Sequence, residues 1–139
     1  LTKIGNSVFA SCYNLTEIDI PDGVKGIGYG VFYNCKSLKK ITFPNSVTKL
    51  GARMFVGCES LTEIDIPDSV QEIEYDMFYG CKSLKKVTFG KGLTKIGENI
   101  FAGCESLTEI YFKGTPEQWA AIEIGENNDV LESLKINFI

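Results

Sequence analysis

Cysteine gives this chain its widest choice of chemistry, because thiols form disulfides, bind metals and act as nucleophiles. The sequence has 139 residues, five cysteines and no histidine. The missing histidine excludes Ser-His-Asp and Cys-His catalysis, HExxH zinc sites and His-ligated haem. The cysteines are odd in number and 23 residues apart, which matches no C-x2-C metal pattern. We predict reduced, structural core cysteines, with a disulfide or metal ladder as the alternative: Cys12, Cys35, Cys58, Cys81 and Cys104.

The same 23-residue spacing governs the main apolar positions and defines a repeat protein. Four further columns keep it: Phe9, Phe32, Phe55, Phe78 and Phe101; Leu15, Leu38, Leu61, Leu84 and Leu107; Ile18, Ile41, Ile64, Val87 and Ile110; Ile4, Ile27, Leu50, Ile73 and Ile96. One unit of this length cannot bury its own apolar face, whereas stacked units share a continuous core.

Each unit carries the signals of a short strand followed by turns. The stretch 38–43 ends in alternating apolar and polar residues, which is the period of a half-buried strand, and Pro44 ends it. Residues 47–50 predict a second short strand, and the apolar pattern at 31–35 predicts one or two helical turns. We therefore predict an α/β fold, in which a parallel sheet on the concave side is backed by short convex helices and turns. Glycines precede the predicted helical turns, where the chain must bend sharply: Gly28, Gly51 and Gly97.

The unit C-x-x-L-x-x-I-x-I-P…V-x-x-I-G…F resembles the leucine-rich repeats of the BspA-like bacterial class. One instance runs from Cys58 through Leu61 and Ile64 to Pro67. The resemblance covers residues 1 to about 112, and the tail looks like the closing segment of such proteins. It implies a right-handed leucine-rich-repeat solenoid in a secreted or surface-attached bacterial protein that binds other macromolecules, often in adhesion. It implies no enzymatic activity and no cofactor, and it transfers no ligand residues.

The two ends of the array are expected to differ. We predict five repeats over residues 1–112, the first truncated at its N-terminus, and a capping unit over residues 113–139. Leu1 falls in the column of Val24, so we expect the chain to start mid-unit, as a fragment of a longer array or an engineered excision. An uncovered first rung predicts end-to-end self-association.

The C-terminal segment contains a helix start and a plug for the core. Thr115 to Gln118 reads as a capping box with proline at the first helical position. Trp119 lies 23 residues after Ile96, so we expect this unit to begin in register. We favour Trp119 as a cover for the core over a role as a ligand-stacking platform. Three extra residues are expected near 127–129, with Asp129 as a helix N-cap.

The candidate binding residues are the outward strand positions, which alternate acidic and basic rungs with a true period of two units. Unlike charges on adjacent strands attract, so the alternation has a sufficient structural cause. Its functional interpretation is a binding face that presents alternating stripes to a protein or a glycan, including a host-derived one. The candidate residues are Glu17, Asp19, Lys40, Thr42, Glu63, Asp65, Lys86, Thr88, Glu109 and Tyr111.

Two other clusters have weaker functional interpretations. Asp19 and Asp65 lie two rungs apart, roughly 9–10 Å, which approaches the spacing of an inverting glycosidase pair. A lysine or threonine rung lies between them and no pocket is implied, so we predict no enzymatic activity. Tyrosine pairs recur 46 residues apart, and we favour packing between turns over a role in binding sugars or a partner: Tyr29 and Tyr75, and Tyr33 and Tyr79.

Charge and hydropathy narrow the partners further. The formal net charge is −4, whereas nucleic-acid-binding proteins present a basic face, so we predict no nucleic-acid partner. No apolar run approaches the ~20 residues of a membrane span, so we predict no membrane insertion. The leading interpretation is a non-enzymatic recognition module of a bacterial surface or secreted protein. The alternatives are a structural spacer and an engineered repeat scaffold without a native ligand.

Overall fold

The computed structural model describes residues 2–139 and shows a solenoid with two columns of parallel strands and one column of turns. Leu1 lies outside the described residues. The long-strand column contains β2 (Glu17–Asp19), β4 (Lys40–Thr42), β6 (Glu63–Asp65), β8 (Lys86–Phe89), β10 (Glu109–Phe112) and β12 (Ile136–Phe138). The short-strand column contains β1 (Lys3–Ile4), β3 (Gly26–Ile27), β5 (Lys49–Leu50), β7 (Glu72–Ile73), β9 (Lys95–Ile96) and β11 (Glu123–Ile124). Two short helices, α1 (Pro116–Ala120) and α2 (Val130–Ser133), occur near the C-terminus.

Neighbouring strands pair in the register that the sequence period predicts. Ile18 lies opposite Ile41, and Ile64 opposite Val87, so each inward residue stacks on its equivalent in the next rung. The parallel pairing and the second short strand predicted at 47–50 are thereby confirmed.

The third side of the solenoid consists of turns, and the prediction of short helices at 31–35 and its equivalents is wrong. Successive turns are joined across rungs: Phe32 N–H donates to the Met54 carbonyl at 3.0 Å, and Asn34 N–H to the Val56 carbonyl at 2.7 Å. A helix would direct the same N–H groups along its own axis to residues four positions back. The stack satisfies them between rungs, so no helical turn is needed.

The core is an ordered stack of aromatic rings. Phe9, Phe32, Phe55, Phe78 and Phe101 have neighbouring ring centroids 5.6–5.8 Å apart and planes within 8° of parallel. Offset stacking of this kind is a favourable geometry for aromatic rings. The constant phenylalanine column thus has a packing reason.

Both strand columns are interrupted at the same level. Long strands β4 and β6 belong to different hydrogen-bonded sheets, and so do short strands β5 and β7. The turn side stays joined at this level, since Arg53 N–H donates to the Tyr75 carbonyl at 3.1 Å and Gly57 N–H to the Tyr79 carbonyl at 2.8 Å. We call this separation of the two strand columns the mid-solenoid gap.

Glu74 gives the gap a physical cause, because it replaces glycine in a column where the rungs approach closely. A Cβ on Gly28 would lie 2.8 Å from the Asn6 nitrogen, and one on Gly97 would lie 2.7 Å from the Tyr75 nitrogen. Carbon atoms do not approach neighbouring backbone so closely, so regular stacking requires glycine here. Glu74 brings a Cβ to this position, and its rung stands off from the one before it.

The C-terminal segment ends the stack, with a register that differs from the predicted one. Ile124, not Trp119, lies opposite Ile96, which places five extra residues before β11, where α1 lies. The capping box at Thr115 and Gln118 is confirmed. Trp119 packs on the core as predicted, with its ring centroid 5.4 Å from that of Phe112.

A buried asparagine, rather than the predicted Asp129, makes the hydrogen bonds before α2. Asp129 occupies the N-cap position, but its side chain makes no capping hydrogen bond. Asn128 is only 5% exposed; its amide oxygen accepts the Ile100 N–H at 2.9 Å, and its amide nitrogen donates to the Gly97 carbonyl at 2.8 Å. This side chain joins the last turn to the rung below it.

Candidate functional site

The cysteines form a structural ladder of thiol hydrogen bonds. The Cys58 thiol donates to the Phe32 carbonyl of the preceding rung at 3.1 Å, and Cys35, Cys81 and Cys104 repeat the contact at 3.0–3.1 Å. The Phe32 carbonyl also accepts the Cys35 N–H, so the thiol uses its second lone pair. All five cysteines are free, and the ladder gives four of them a role in stacking.

Burial makes these thiols poor nucleophiles. It raises the pKa of the Cys104 thiol to about 12. Burial also raises the pKa of the Cys35, Cys58 and Cys81 thiols. Because the thiolate is the reactive form, these side chains stay protonated near neutral pH. Within residues 2–139, no group of three or more metal-ligating side chains is assembled.

The ten predicted binding residues lie on one surface, the outward side of the long-strand column, which we call the strand face. Glu17 lies opposite Lys40, and Lys86 lies between Glu63 and Glu109, so the predicted alternation of charge is present in space. Seven of the ten residues are exposed, and Lys86 and Tyr111 are half-buried. The prediction of an accessible side chain is wrong for Thr88, which lies between Asp65 and Tyr111 and is only 6% exposed.

Side chains on the strand face make specific contacts, although these are not the expected ion pairs. The Thr42 hydroxyl donates to the Asp19 carboxylate of the neighbouring strand. The Lys86 Nζ atom lies 4.7 Å from the centroid of the Tyr111 ring, within cation–π range. In the described chain, the ion pairs within 4.0 Å lie elsewhere, so the charges of this face do not neutralise one another in close ion pairs.

The mid-solenoid gap opens onto the strand face as a depression of about 330 Å³. Six of the ten predicted residues line it: Lys40, Thr42, Glu63, Asp65, Lys86 and Thr88. A second depression of about 380 Å³ opens on the short-strand side of the same gap, beside Lys49, Glu72 and Glu74. Burial, followed by the neighbouring Glu72 carboxyl, raises the pKa of the Glu74 carboxyl.

The turn side carries aromatic residues that sequence reasoning assigned to packing. Tyr29, Tyr75 and Tyr79 are 40%, 46% and 47% exposed, so their rings are not covered by neighbouring turns. The Arg53 guanidinium carbon lies 5.8 Å from the Tyr33 ring centroid, and its Nε atom lies 4.0 Å from the Asp76 carboxylate. Sequence reasoning missed Arg53, although it is the single arginine of the chain.

Comparison with known proteins identifies the repeat. A family model described as BspA type leucine rich repeat region matches residues 2–121 in six copies. The chain belongs to the BspA-type leucine-rich-repeat family. A leucine-rich cell surface protein of Faecalibacterium prausnitzii is similar, with 38% identity and a TM-score of 0.85 over 88% of this chain and 32% of the other.

Two further solved structures support the solenoid assignment. A leucine-rich repeat protein of Bacteroides ovatus has 32% identity and a TM-score of 0.70, covering 100% of this chain and 40% of that one. The Treponema pallidum leucine-rich repeat protein has 26% identity and a TM-score of 0.77, covering 99% and 66%. No curated protein sequence matches the chain. The BspA-type chain therefore spans about a third of the Faecalibacterium protein and two fifths of the Bacteroides protein.

The family assignment also bears on cellular location. The Faecalibacterium neighbour is a cell surface protein, and the chain shares its fold and 38% of its aligned residues. None of the helices within residues 2–139 has the length and apolar character needed to cross a bilayer.

Proposed function

We propose that this BspA-type chain is a non-enzymatic recognition module of a bacterial surface or secreted protein, which binds a protein partner through the strand face in an adhesion-type interaction. The observation that carries the proposal is the depression at the mid-solenoid gap, lined by six of the ten strand-face residues. It combines lysine, threonine and carboxylate side chains, and its charged groups are in no ion pair within 4.0 Å.

Charge patterning favours a protein over a glycan at this face. Acidic and basic rungs alternate, so a partner with the complementary alternation gains attraction at each rung, whereas a partner of uniform charge meets repulsion at every second one. A neutral glycan gains nothing from the alternation.

Charge reversal tests the proposal directly. Wild-type protein, Lys40→Glu/Lys86→Glu and a control, Lys25→Glu/Lys91→Glu, are immobilised and exposed to host extracellular proteins and to a glycan array. The control makes the same change in net charge outside the strand face. A protein retained by wild type and control but lost from the Lys40/Lys86 variant supports the proposal.

The alternatives have distinct outcomes. Equal retention by all three proteins contradicts recognition through this face and indicates binding elsewhere on the protein. No retention by any of them also contradicts the proposal and is the result that a structural spacer or a scaffold without a ligand would give. If a glycan is retained by wild type and control but not by the Lys40/Lys86 variant, the partner of this face is a glycan and the proposal of a protein partner is contradicted. Circular dichroism of each variant shows that the fold is retained.

A further inference from the structure

The short-strand column presents an outward surface on which charge is separated into two halves instead of alternating. We call this surface the short-strand face; it comprises one five-residue segment from each rung, at 2–6, 25–29, 48–52, 71–75, 94–98 and 122–126. The segments of the first three rungs contain three lysines and no carboxylate: Lys3, Lys25 and Lys49. Those of the last three rungs contain five glutamates and one lysine: Glu72, Glu74, Glu98, Glu123, Glu126 and Lys95. The face is therefore basic along one half and acidic along the other.

This charge separation makes the face complementary to a second copy of itself in the antiparallel orientation. A parallel pair in register would set each rung against its equivalent, so that like charges meet. A two-fold axis along the strand direction instead places the first rung opposite the sixth, the second opposite the fifth and the third opposite the fourth. Lys49 then faces Glu72 of the second copy and Lys3 faces Glu123, because all four residues occupy one register column.

The same two-fold axis matches large side chains with small ones. It passes between β5 and β7, at the mid-solenoid gap, where the depression of about 380 Å³ opens on this side. Glu74, which replaces glycine in its column, faces Gly51 of the second copy. Tyr75 is 46% exposed and faces Ala52, which is only 7% exposed. The side chains that stand out from the face therefore meet the positions that have little or no side chain.

The size of the face predicts how tightly two copies would associate. With about 4.8 Å per rung and about 3.3 Å per residue, it measures roughly 24 by 16 Å in projection. That is about half of the roughly 800 Å² per partner that a stable interface buries. Because most of its contacts are charged, the association should also weaken with salt. A weak, salt-dependent dimer is the expected product.

We propose that the short-strand face is a homodimer interface, on which a second copy of the chain docks antiparallel about the mid-solenoid gap. The central contacts join Lys49 to Glu72 and pack Glu74 against Gly51, and the symmetry makes each of them twice. The long and short strands belong to separate sheets, so the strand face stays uncovered and the dimer presents two copies of it. Two linked strand faces bind a multivalent partner with greater avidity than one.

Sedimentation of the wild-type chain tests whether the dimer forms. At about 20 mM salt and protein concentrations up to about 1 mM, we expect a reversible equilibrium between monomer and dimer. Raising the salt to about 0.5 M should weaken this association ~10-fold or more, because it screens the contacts between lysine and glutamate.

Charge-reversal variants at the centre of the face test the antiparallel contacts. Lys49→Glu and Glu72→Lys each set like charges against one another twice in a homodimer, and each should weaken association ~10-fold. In an equimolar mixture of the two variants, both contacts join opposite charges again, so the mixture should associate within about threefold of wild type. Lys49→Gln removes the charge without adding a like one and should weaken association by about threefold.

Matched controls separate this interface from general charge effects. Lys36→Glu and Glu105→Lys make the same changes in net charge at exposed positions outside the face, so each should associate as wild type, alone or mixed. Circular dichroism shows that each variant is folded. The proposal is overturned if wild type stays monomeric at low salt, or if the Lys49 and Glu72 variants associate no better mixed than alone. Association that is indifferent to both changes also overturns it, because that result indicates end-to-end contact through the first rung.

Discussion

Replacing Glu74 by glycine should close the mid-solenoid gap and stabilise the protein. The substitution removes the one Cβ that stands where Gly28, Gly51 and Gly97 meet the backbone of the preceding rung. Without that atom, β7 can approach β5 as closely as the other short strands approach their neighbours. Glycine adds conformational freedom to the unfolded chain, so a replacement by glycine ordinarily destabilises a protein, and a measured stabilisation would therefore support the steric explanation.

The adjacent junction supplies the magnitude. Between β3 and β5, Thr48 N–H and Lys49 N–H donate to the Lys25 carbonyl at 2.9 and 3.2 Å, and Gly51 N–H donates to the Ile27 carbonyl at 2.8 Å. Three such bonds contribute about 0.5–1.5 kcal/mol each. Subtracting about 1 kcal/mol for the conformational entropy of glycine leaves a net stabilisation of about 2 kcal/mol.

Amide hydrogen exchange and urea unfolding measure this effect. By analogy with Thr48, Lys49 and Gly51, the bonds missing at the gap are those from the Gln71 and Glu72 amides to the Thr48 carbonyl and from the amide of position 74 to the Leu50 carbonyl. The amides of Gln71 and position 74 report on them. In wild type these two amides should exchange faster than those of Thr48 and Gly51. In Glu74→Gly both should become protected, and the urea midpoint should rise.

Glu74→Ala provides the control that isolates the Cβ. It removes the carboxylate but keeps the carbon that separates the rungs, so its two amides should stay as exposed as in wild type. Equal protection and stability in the alanine and glycine variants would show that the charge, not the Cβ, holds the gap open. That result would refute the steric explanation.

Three further predictions concern the thiol ladder and the N-terminal end. Cys58→Ala should lower the free energy of unfolding by about 2 kcal/mol, because it loses buried surface, leaves a small cavity and removes a weak hydrogen bond. Cys12 is only half-buried, so Cys12→Ala should cost less than about 0.5 kcal/mol. Equal shifts of the urea midpoint in the two variants would contradict this prediction. Because burial raises the thiol pKa values, to about 12 at Cys104, unfolded thiols ionise first. The thiols therefore contribute their full stabilisation below the unfolded pKa of ~8.5, and the free energy of unfolding should fall as pH rises above it, by up to ~1.4 kcal/mol per pH unit for each thiol. In Cys58→Ala, the urea midpoint should depend less steeply on pH than in wild type. An apolar depression of about 460 Å³ lies beside Ile4 and Val8, which is 54% exposed, and it predicts self-association of the 139-residue chain. Sedimentation should show that Val8→Asp weakens the association. A strict monomer at millimolar concentration would contradict the prediction.

The sequence period predicts the part of the fold that depends on identical contacts repeated along one axis. Phe55 and Cys58 recur because each must stack on or bind its equivalent in the next rung, so their spacing alone locates them in the core. The turns were misread because an apolar pattern at i, i+1 and i+4 suits both a helix and a stacked turn. Only the hydrogen bonds between rungs, such as Phe32 to Met54, distinguish the two.

Departures from the period were harder to interpret than the period itself. Counting 23 residues past Ile96 gives Trp119 as its equivalent in the last unit. This is wrong, because α1 inserts five residues before β11 and the count alone cannot show it. Glu74 was readable as an interruption of the column of Gly28, Gly51 and Gly97. The resulting gap could not be predicted from the sequence, since it depends on how closely a Cβ would approach the neighbouring backbone. Arg53 gave only an indirect signal, because its column otherwise holds Ser7, Gly30, Asp76 and Asn99, and glycine, aspartate and asparagine are the residues that favour a left-handed backbone.

The strand face and the turn side should respond differently to closure of the gap. The strand columns part at this level while Arg53 and Gly57 stay hydrogen-bonded to Tyr75 and Tyr79, so any change in the gap pivots about the turn side. Glu74→Gly should therefore alter protein binding at the strand face, where Lys40 and Glu63 line the opening, and leave the hydrogen-exchange rates of the Arg53 and Gly57 amides on the turn side within about twofold. A parallel change in strand-face binding and in turn-side amide exchange would contradict the pivot and would show that the rungs on either side of the gap respond as one unit.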